Sequence, residues 1–439
     1  MVNPGAVLSE ARSAVHWASA FGVPRLAVRS AARRGELQAR MIVTASSGGD
    51  VWPLLEEVRS HGSLLRGFAS HLTVDHAVVR EVLSSPDFRS GNPMDGVGLL
   101  ARVAGATEPH ITHPIQAPSM LAVEPPDHTR YRKLVTRVFT VKAITRLRER
   151  TEEIAADLLD ELEATSRTGA PVDLIERYCS LLPVAVISEI LGVPAEQQPR
   201  VLELGTAAAP SLDFGLGWSE YRSVYAGLRD FDAWLDEHLA ALRRQPGDDL
   251  LSQLISARDE ENALSEVELK ATAGLVLAAG FETTVNLLGN GIRLLHDHPE
   301  QRAHLREDVD LWPSAVDEVL RFDPPVLLTG RVTPDGATVA GVDIAPGGFV
   351  TTVLAGANRD PEVFADPARF DVARANAGDH VSFSAGRHYC LGAALARMEG
   401  EVGLRAFFDR FPDVELTPGA RRRTTRILRG WERLPARIG

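Results

Sequence analysis

The stretch from Ala271 to Ile292 is dominated by apolar residues and carries a single charge, Glu282. Ser265-Glu-Val-Glu268 stands ahead of it as a capping box, and Pro299 lies just beyond Asp297 and His298, where the pattern ends. These signals predict one helix of about 33 residues, roughly 50 Å long at 1.5 Å per residue, enough to cross a whole domain. Its length would also suit a membrane span. Gly274, Gly280, Gly289, Asn286, Asn290 and three threonines interrupt the apolar surface, and charged turns close both ends, so a buried central helix is predicted instead.

Polar positions mark further elements. Leu391, Leu395 and Met398 recur at helical spacing after a glycine-flanked loop. Glu318 and Arg321, one helical turn apart ahead of Pro324-Pro325, point from one face. His128 and Arg132 share a face of another helix, and Arg130, Lys133 and Arg137 lie about half a turn round as a basic outer face. Arg331 opens a strand ahead of the Pro334-Asp335-Gly336 turn, and the apolar run Tyr178 to Ile187 reads as core. Two segments are irregular: Arg89 to Val123, rich in Gly and Pro, and Ala207 to Gly217 between two helical runs. Long loops in compact domains more often bind or cover a ligand than fill space. Residues 1–48 form a basic, Ala-rich extension. Its Trp17, Phe21 and Leu26, with Arg25, Arg29, Arg33 and Arg34, give an amphipathic stripe interrupted at Gly22 and Pro24, which predicts packing on the domain rather than contact with a membrane surface.

With 439 residues, 44% of them hydrophobic and 24% charged, and no linker or repeat to divide it, the chain is expected to form one compact unit over residues 49–439. A net charge of −12 argues against a nucleic-acid partner, because a phosphate backbone rewards Lys and Arg. Two cysteines, without a signal-peptide pattern or a transmembrane anchor, point to a reducing cytoplasm and against a disulfide. No cluster of Cys and His suggests zinc.

The candidate chemistry begins at Phe383-Ser-Ala-Gly386-Arg-His388-Tyr-Cys390-Leu-Gly392. Gly386 and Gly392 free the backbone to bend around the sulfur of Cys390, and the first turn of the following helix offers unpaired N–H donors; both are expected to favour S⁻ over SH. A thiolate held this way can be the axial ligand of a haem iron. Cys179, inside its apolar run, reads as core. In the central helix, Gly280 is expected to let a flat cofactor or dioxygen approach the backbone. Thr283 can bond the carbonyl of Ala279 four residues back and open a groove that holds water.

The loop spells Phe-x-x-Gly-x-x-x-Cys-x-Gly, and the chain resembles the soluble bacterial members of the cytochrome P450 family, the haem-thiolate monooxygenases. Ser384 departs from the pattern, standing where many members carry a second glycine. The resemblance implies a mainly α fold with small β-sheets in one domain and haem b as cofactor, with Cys390 as its metal ligand, Phe383 and Gly392 around the sulfur, and Ala279 and Gly280 above the iron. It implies that Glu282 and Thr283 relay protons during dioxygen cleavage. His128, Arg132, Arg331 and His388 would bind the propionates, and Glu318, Arg321 and Arg369 would form a buried ion pair that supports the cysteine loop. It further implies a ferredoxin- or flavodoxin-type partner, docked on the basic outer face and passing electrons from NAD(P)H, and the insertion of one atom of O₂ into a substrate. Ala279, Val326, Leu327, Leu328, Ile427 and Leu428 describe an apolar chamber, so the substrate should be a hydrophobic small molecule such as a lipid, terpenoid or sterol. A peroxygenase driven by hydrogen peroxide and a haem-binding sensor or carrier without turnover are the rival readings; the former typically lacks the acid–Thr pair.

Overall fold

The computed structural model describes residues 4–91, 98–109, 111, 113–136, 141–166, 169–213, 215–256 and 263–438. The central helix spans Glu266–Asp297, and its capping box is formed: the Ser265 hydroxyl accepts from the Glu268 amide at 3.4 Å, and the Glu268 carboxylate accepts from the Ser265 amide at 2.7 Å. It ends at His298 because Pro299 opens the next helix. Most of its residues between Leu269 and Leu295 are buried, with Leu277, Phe281, Leu287 and Leu288 joining Ile187, Leu182, Leu404 and Phe407 from the helices Leu181–Ile190 and Ala393–Arg410 in one large core. Among the described residues this is the one helix long and apolar enough to cross a membrane, and 83% of that apolar window is buried inside the protein. It is a core helix.

The strands are short and lie at the margins. Leu65–Arg66, His71–Thr73, Gly348–Thr352 and Thr329–Thr333 form a four-stranded sheet in that spatial order, with the two middle strands parallel and Arg331 opposite Val350. Val172–Asp173, Pro435–Arg437 and Glu415–Leu416 make a second sheet, and Arg421–Arg422 pairs with Trp431–Arg433. A mainly helical protein with small sheets is what the family resemblance implied.

The helices Pro4–Trp17 and Val23–Arg33 are joined without a break by a π-helical turn, Ala18–Gly22. Pro24 falls directly after the π-helical turn, in the first turn of the second helix. Trp17 donates its indole N–H to the carbonyl of Leu216 at 3.0 Å, and a ring nitrogen of His16 lies 3.0 Å from the carbonyl of Ala104. The next helix, Leu37–Ala45, places Met41 and Ala45 in a core shared with Leu55, Leu72, Leu327 and Val353, so packing is continuous across residue 48. Within the segment expected to be irregular, residues Gly98–Thr107 are helical, and Ala209–Leu212 forms a short 3₁₀ turn.

His113 is buried beside His16 and Tyr225, and burial together with the neighbouring imidazole holds its pKa down to about 4 from 6.5. Between those two values the unfolded chain binds a proton that the folded chain does not, so stability must fall as pH falls through this window. This side chain alone is expected to cost up to about 3 kcal/mol by the bottom of it. Urea unfolding of His113→Phe should show a shallower loss of stability from pH 6.5 to pH 4 than the parent. Parallel pH profiles would refute the assignment.

Candidate functional site

The cysteine loop is fixed before any cofactor is considered. Ser384 sits at φ +64°, left-handed backbone that strains a side chain by roughly 1–2 kcal/mol, which accounts for the glycine that similar sequences place there. Gly386 is also left-handed, and a Cβ on it would lie 2.5 Å from the carbonyl oxygen of Leu83 and 2.7 Å from Cα of Ser84, so the loop lies directly against the end of the helix His76–Ser84. The amide of Cys390 donates to the carbonyl of Phe383 at 2.9 Å, which closes the loop. Arg397 covers the Phe383 ring at 4.7 Å and pairs with Asp317 at 2.7 Å. A Cβ on Gly392 would meet nothing within 4 Å, and Cys390 is accessible although protein surrounds it. That surrounding burial pushes the thiol up. The Gly392 amide and the guanidinium groups of Arg132 and Arg397 oppose the shift without cancelling it. The amide at the helix start therefore acts in the expected direction, toward the thiolate, although burial is the larger influence.

In the central helix the Thr283 hydroxyl donates to the carbonyl of Ala279 at 3.0 Å, as expected, and Thr284 donates to Gly280 at 3.2 Å. Ala279, Gly280 and Thr283 are only half-buried in an otherwise buried stretch. Gly280 also has a packing role. A Cβ there would lie 2.9 Å from Cδ1 of Ile187, so the missing side chain makes room for a neighbouring helix. Glu282 is buried and ion-paired with Arg423. Desolvation pushes its carboxyl up, and the guanidinium of Arg423 partly offsets this. Glu399, also buried, is held well above the usual carboxylate range by desolvation.

The four predicted propionate partners converge. The rings of His128 and His388 are 4.5 Å apart, Arg132 donates to the carbonyl of Arg387 at 3.4 Å, and a ring nitrogen of His388 lies 3.1 Å from the Glu124 carboxylate. Arg387 pairs with the other oxygen of Glu124 at 2.9 Å. Burial and the adjacent His388 hold the His128 pKa down to about 4. Arg331 is buried, donates among the described residues to the Gly330 carbonyl (2.8 Å) and the Thr329 hydroxyl (3.4 Å), and is pulled down to about 10 by desolvation. Among the described residues no carboxylate stands within 4.0 Å of it. Glu124 and Arg387 were missed by sequence reasoning, although each stands beside a residue that it selected.

Glu318 and Arg321 are both fully buried and paired through both carboxylate oxygens at 2.6 and 2.7 Å. Arg369 does not complete the pair. Its side chain is 64% exposed and lies 3.8 Å from Asp371, while its backbone carbonyl accepts from Arg321 at 3.1 Å. The third charged side chain is Arg374, 3.2 Å from Glu318. The chain turns after Phe370, and that turn carries Arg374 inward.

Two other expectations also change. Arg130 is not free on an outer face: it is ion-paired with Glu268 at the start of the central helix, lies 3.1 Å from Asp127, and is held above its ordinary value by those hydrogen bonds. Lys133 is exposed, and Arg137 lies outside the described residues. Val326 and Leu428 form a bridge, and the amide of Leu327 donates to Ile427 at 2.7 Å, so those four residues are neighbours. Leu327, however, packs into the core with Met41 and Leu55, whereas Ala279 borders the main core.

A family model described as Cytochrome P450 matches residues 220–429. A Mycobacterium tuberculosis protein, whose name, cytochrome P450 140, carries no reaction, is 54% identical over 429 residues, 97% of each chain. The chain belongs to the cytochrome P450 family. The 6-deoxyerythronolide B hydroxylase of Saccharopolyspora erythraea is 40% identical over 73% of this chain and 78% of its own. The ligand-free structure of CYP164A2 from Mycobacterium smegmatis superposes with a TM-score of 0.81 at 31% identity, covering 92% of this chain and 99% of that one. This P450 is a monooxygenase whose cofactor is haem. Its donor set fits that group: an accessible cysteine beside open space, and a buried guanidinium that lacks the carboxylate it would pair with, as a propionate would supply.

Proposed function

We propose that this P450 inserts one atom of dioxygen into a hydrophobic small molecule in the cytoplasm, with electrons from NAD(P)H passed on by a ferredoxin- or flavodoxin-type protein. Bound haem, held through Cys390 and through its propionates by His128, Arg132, Arg331 and His388, supplies the dioxygen activation. The chain's own part is to orient the cofactor, to exclude bulk water and to move protons. The observation that carries this reading is a buried Glu282 next in sequence to the half-buried Thr283, whose hydroxyl is fixed by its bond to Ala279 at 3.0 Å. Desolvation moves the Glu282 carboxyl upward, toward the range in which a carboxyl can give up a proton and recover it. A peroxide-driven reaction would not need that pair, and a carrier would need neither residue.

A relative named as a hydroxylase supports the reaction class. Both described cysteines are free, in keeping with a reducing compartment.

Thr283→Ala should bind haem and form the reduced carbon monoxide complex as the parent does. With a substrate chosen by its shift of the haem Soret band, product formed per NAD(P)H should fall several-fold, with peroxide released instead. Unchanged coupling would remove Thr283 from the mechanism.

A further inference from the structure

We propose that Asn286 and Arg423 hold a hydrated polar seam along the central helix through which solvent protons reach Glu282, a role that rests on Glu282 being the acid of the relay. Glu282, Asn286 and Asn290 recur every fourth residue and so lie on one face of an otherwise apolar helix, and all three are buried. Three polar side chains persist in line on such a helix only where polar groups face them. Asn290 has protein partners: its amide nitrogen donates to the carbonyls of Asp323 (2.9 Å) and Arg429 (3.2 Å), and its oxygen accepts from Arg422 at 3.0 Å.

Asn286 is different. Its amide nitrogen and oxygen are both buried without a protein hydrogen-bond partner, and so is Nε of Arg423. Gly430 is pressed against that amide, since a Cβ on it would lie 2.5 Å from Asn286 Cγ. An unsatisfied buried polar group costs about 1–3 kcal/mol, and ordered water is what satisfies such groups in folded proteins. Beside them lies a cavity of about 10 Å³, room for about one water, lined by Gly48, Arg422, Arg423, Thr425, Arg429 and Gly430 among others. Gly48, Arg423 and Thr425 are partly exposed. The seam therefore runs inward from the surface at Gly48 and Thr425, past Arg423, to the carboxyl of Glu282 and the amide of Asn286. Arg423 holds the carboxyl on this face through the ion pair, and Asn286 holds the water that bridges to it. A proton leaving Glu282 is replaced from bulk water by transfer between hydrogen-bonded waters, with no change of oxidation state along the way.

A high-resolution crystal structure of the haem-loaded enzyme should show ordered water on the Asn286 amide, and Asn286→Leu should lose it. Dealkylation of 7-ethoxycoumarin, as a probe, is then driven in two ways: by NADH, ferredoxin and dioxygen, or by hydrogen peroxide, which brings its own protons. Asn286→Leu and Arg423→Leu should lower the dioxygen-driven rate about tenfold and leave the peroxide-driven rate within about twofold, whereas Asn286→Ser, which keeps a hydroxyl and room for water, should recover most of the loss. Glu282→Gln gauges the relay itself. If it leaves the ratio of the two rates unchanged, Glu282 is not the acid and the seam has no relay to feed. If it lowers the ratio while Asn286→Leu does not, or if the amide is found bonded directly to protein, the seam is overturned and the relay stands.

Discussion

Arg321→Ala is expected to leave little folded protein to load with haem. Arg321 and Glu318 have no solvent exposure, and Arg321 also donates to the carbonyls of Asn358 (3.0 Å), Pro367 (2.9 Å) and Arg369 (3.1 Å). One guanidinium thus ties a helix to the segment that leads into the cysteine loop. Its removal leaves Glu318 buried, with the amide of Asp371 (2.9 Å) and the longer contact to Arg374 (3.2 Å). Breaking such a pair costs about 3–5 kcal/mol, against a total stability of about 5–15 kcal/mol for a typical protein. The urea midpoint and the haem content should fall together. Arg369→Ala, which removes an exposed side chain while keeping the carbonyl that Arg321 uses, should change stability by less than about 0.5 kcal/mol. Equal stability of the Arg321 and Arg369 variants would show that the buried pair does not support the loop.

The contrast between those two arginines shows what the sequence made legible. Glu318 and Arg321 are three residues apart on one helix, so their pairing follows from local geometry, as do the capping box at Ser265 and the bond from Thr283 to Ala279. Whether Arg369 or Arg374 turns inward depends on a bend in irregular chain, which no periodicity encodes. Arg130 was placed correctly about half a turn from His128. What covers that side of the helix is Glu268, 138 residues away, and this contact cancels the free basic face. Arg423 stands in a run of three arginines that sequence reasoning did not single out, yet it reaches the buried acid of the central helix. Ile187 opposite Gly280 belongs to the same class of contact. In each case the deciding neighbour is remote in sequence, and helical periodicity reports only which face a residue is on.

The second large effect concerns the iron ligand itself. Cys390 is accessible, lies beside open space, and sits in a loop whose backbone is set by Ser384 and Gly386 at positive φ. Cys179 is fully buried in the main core, and desolvation holds its thiol far above the ordinary range, so it can reach a metal only if the core opens. Substituting Cys390 should therefore abolish thiolate ligation and dioxygen-dependent turnover, whereas substituting Cys179 should cost only packing. The most direct measurement is the absorption spectrum of the reduced carbon monoxide complex for the parent, Cys390→Ala and Cys179→Ala, at matched haem content. The parent and Cys179→Ala should both show the long-wavelength Soret band that an axial thiolate produces, and Cys390→Ala should lack it. Survival of that band without Cys390, or its loss with Cys179, would contradict the assignment of Cys390 as the haem ligand.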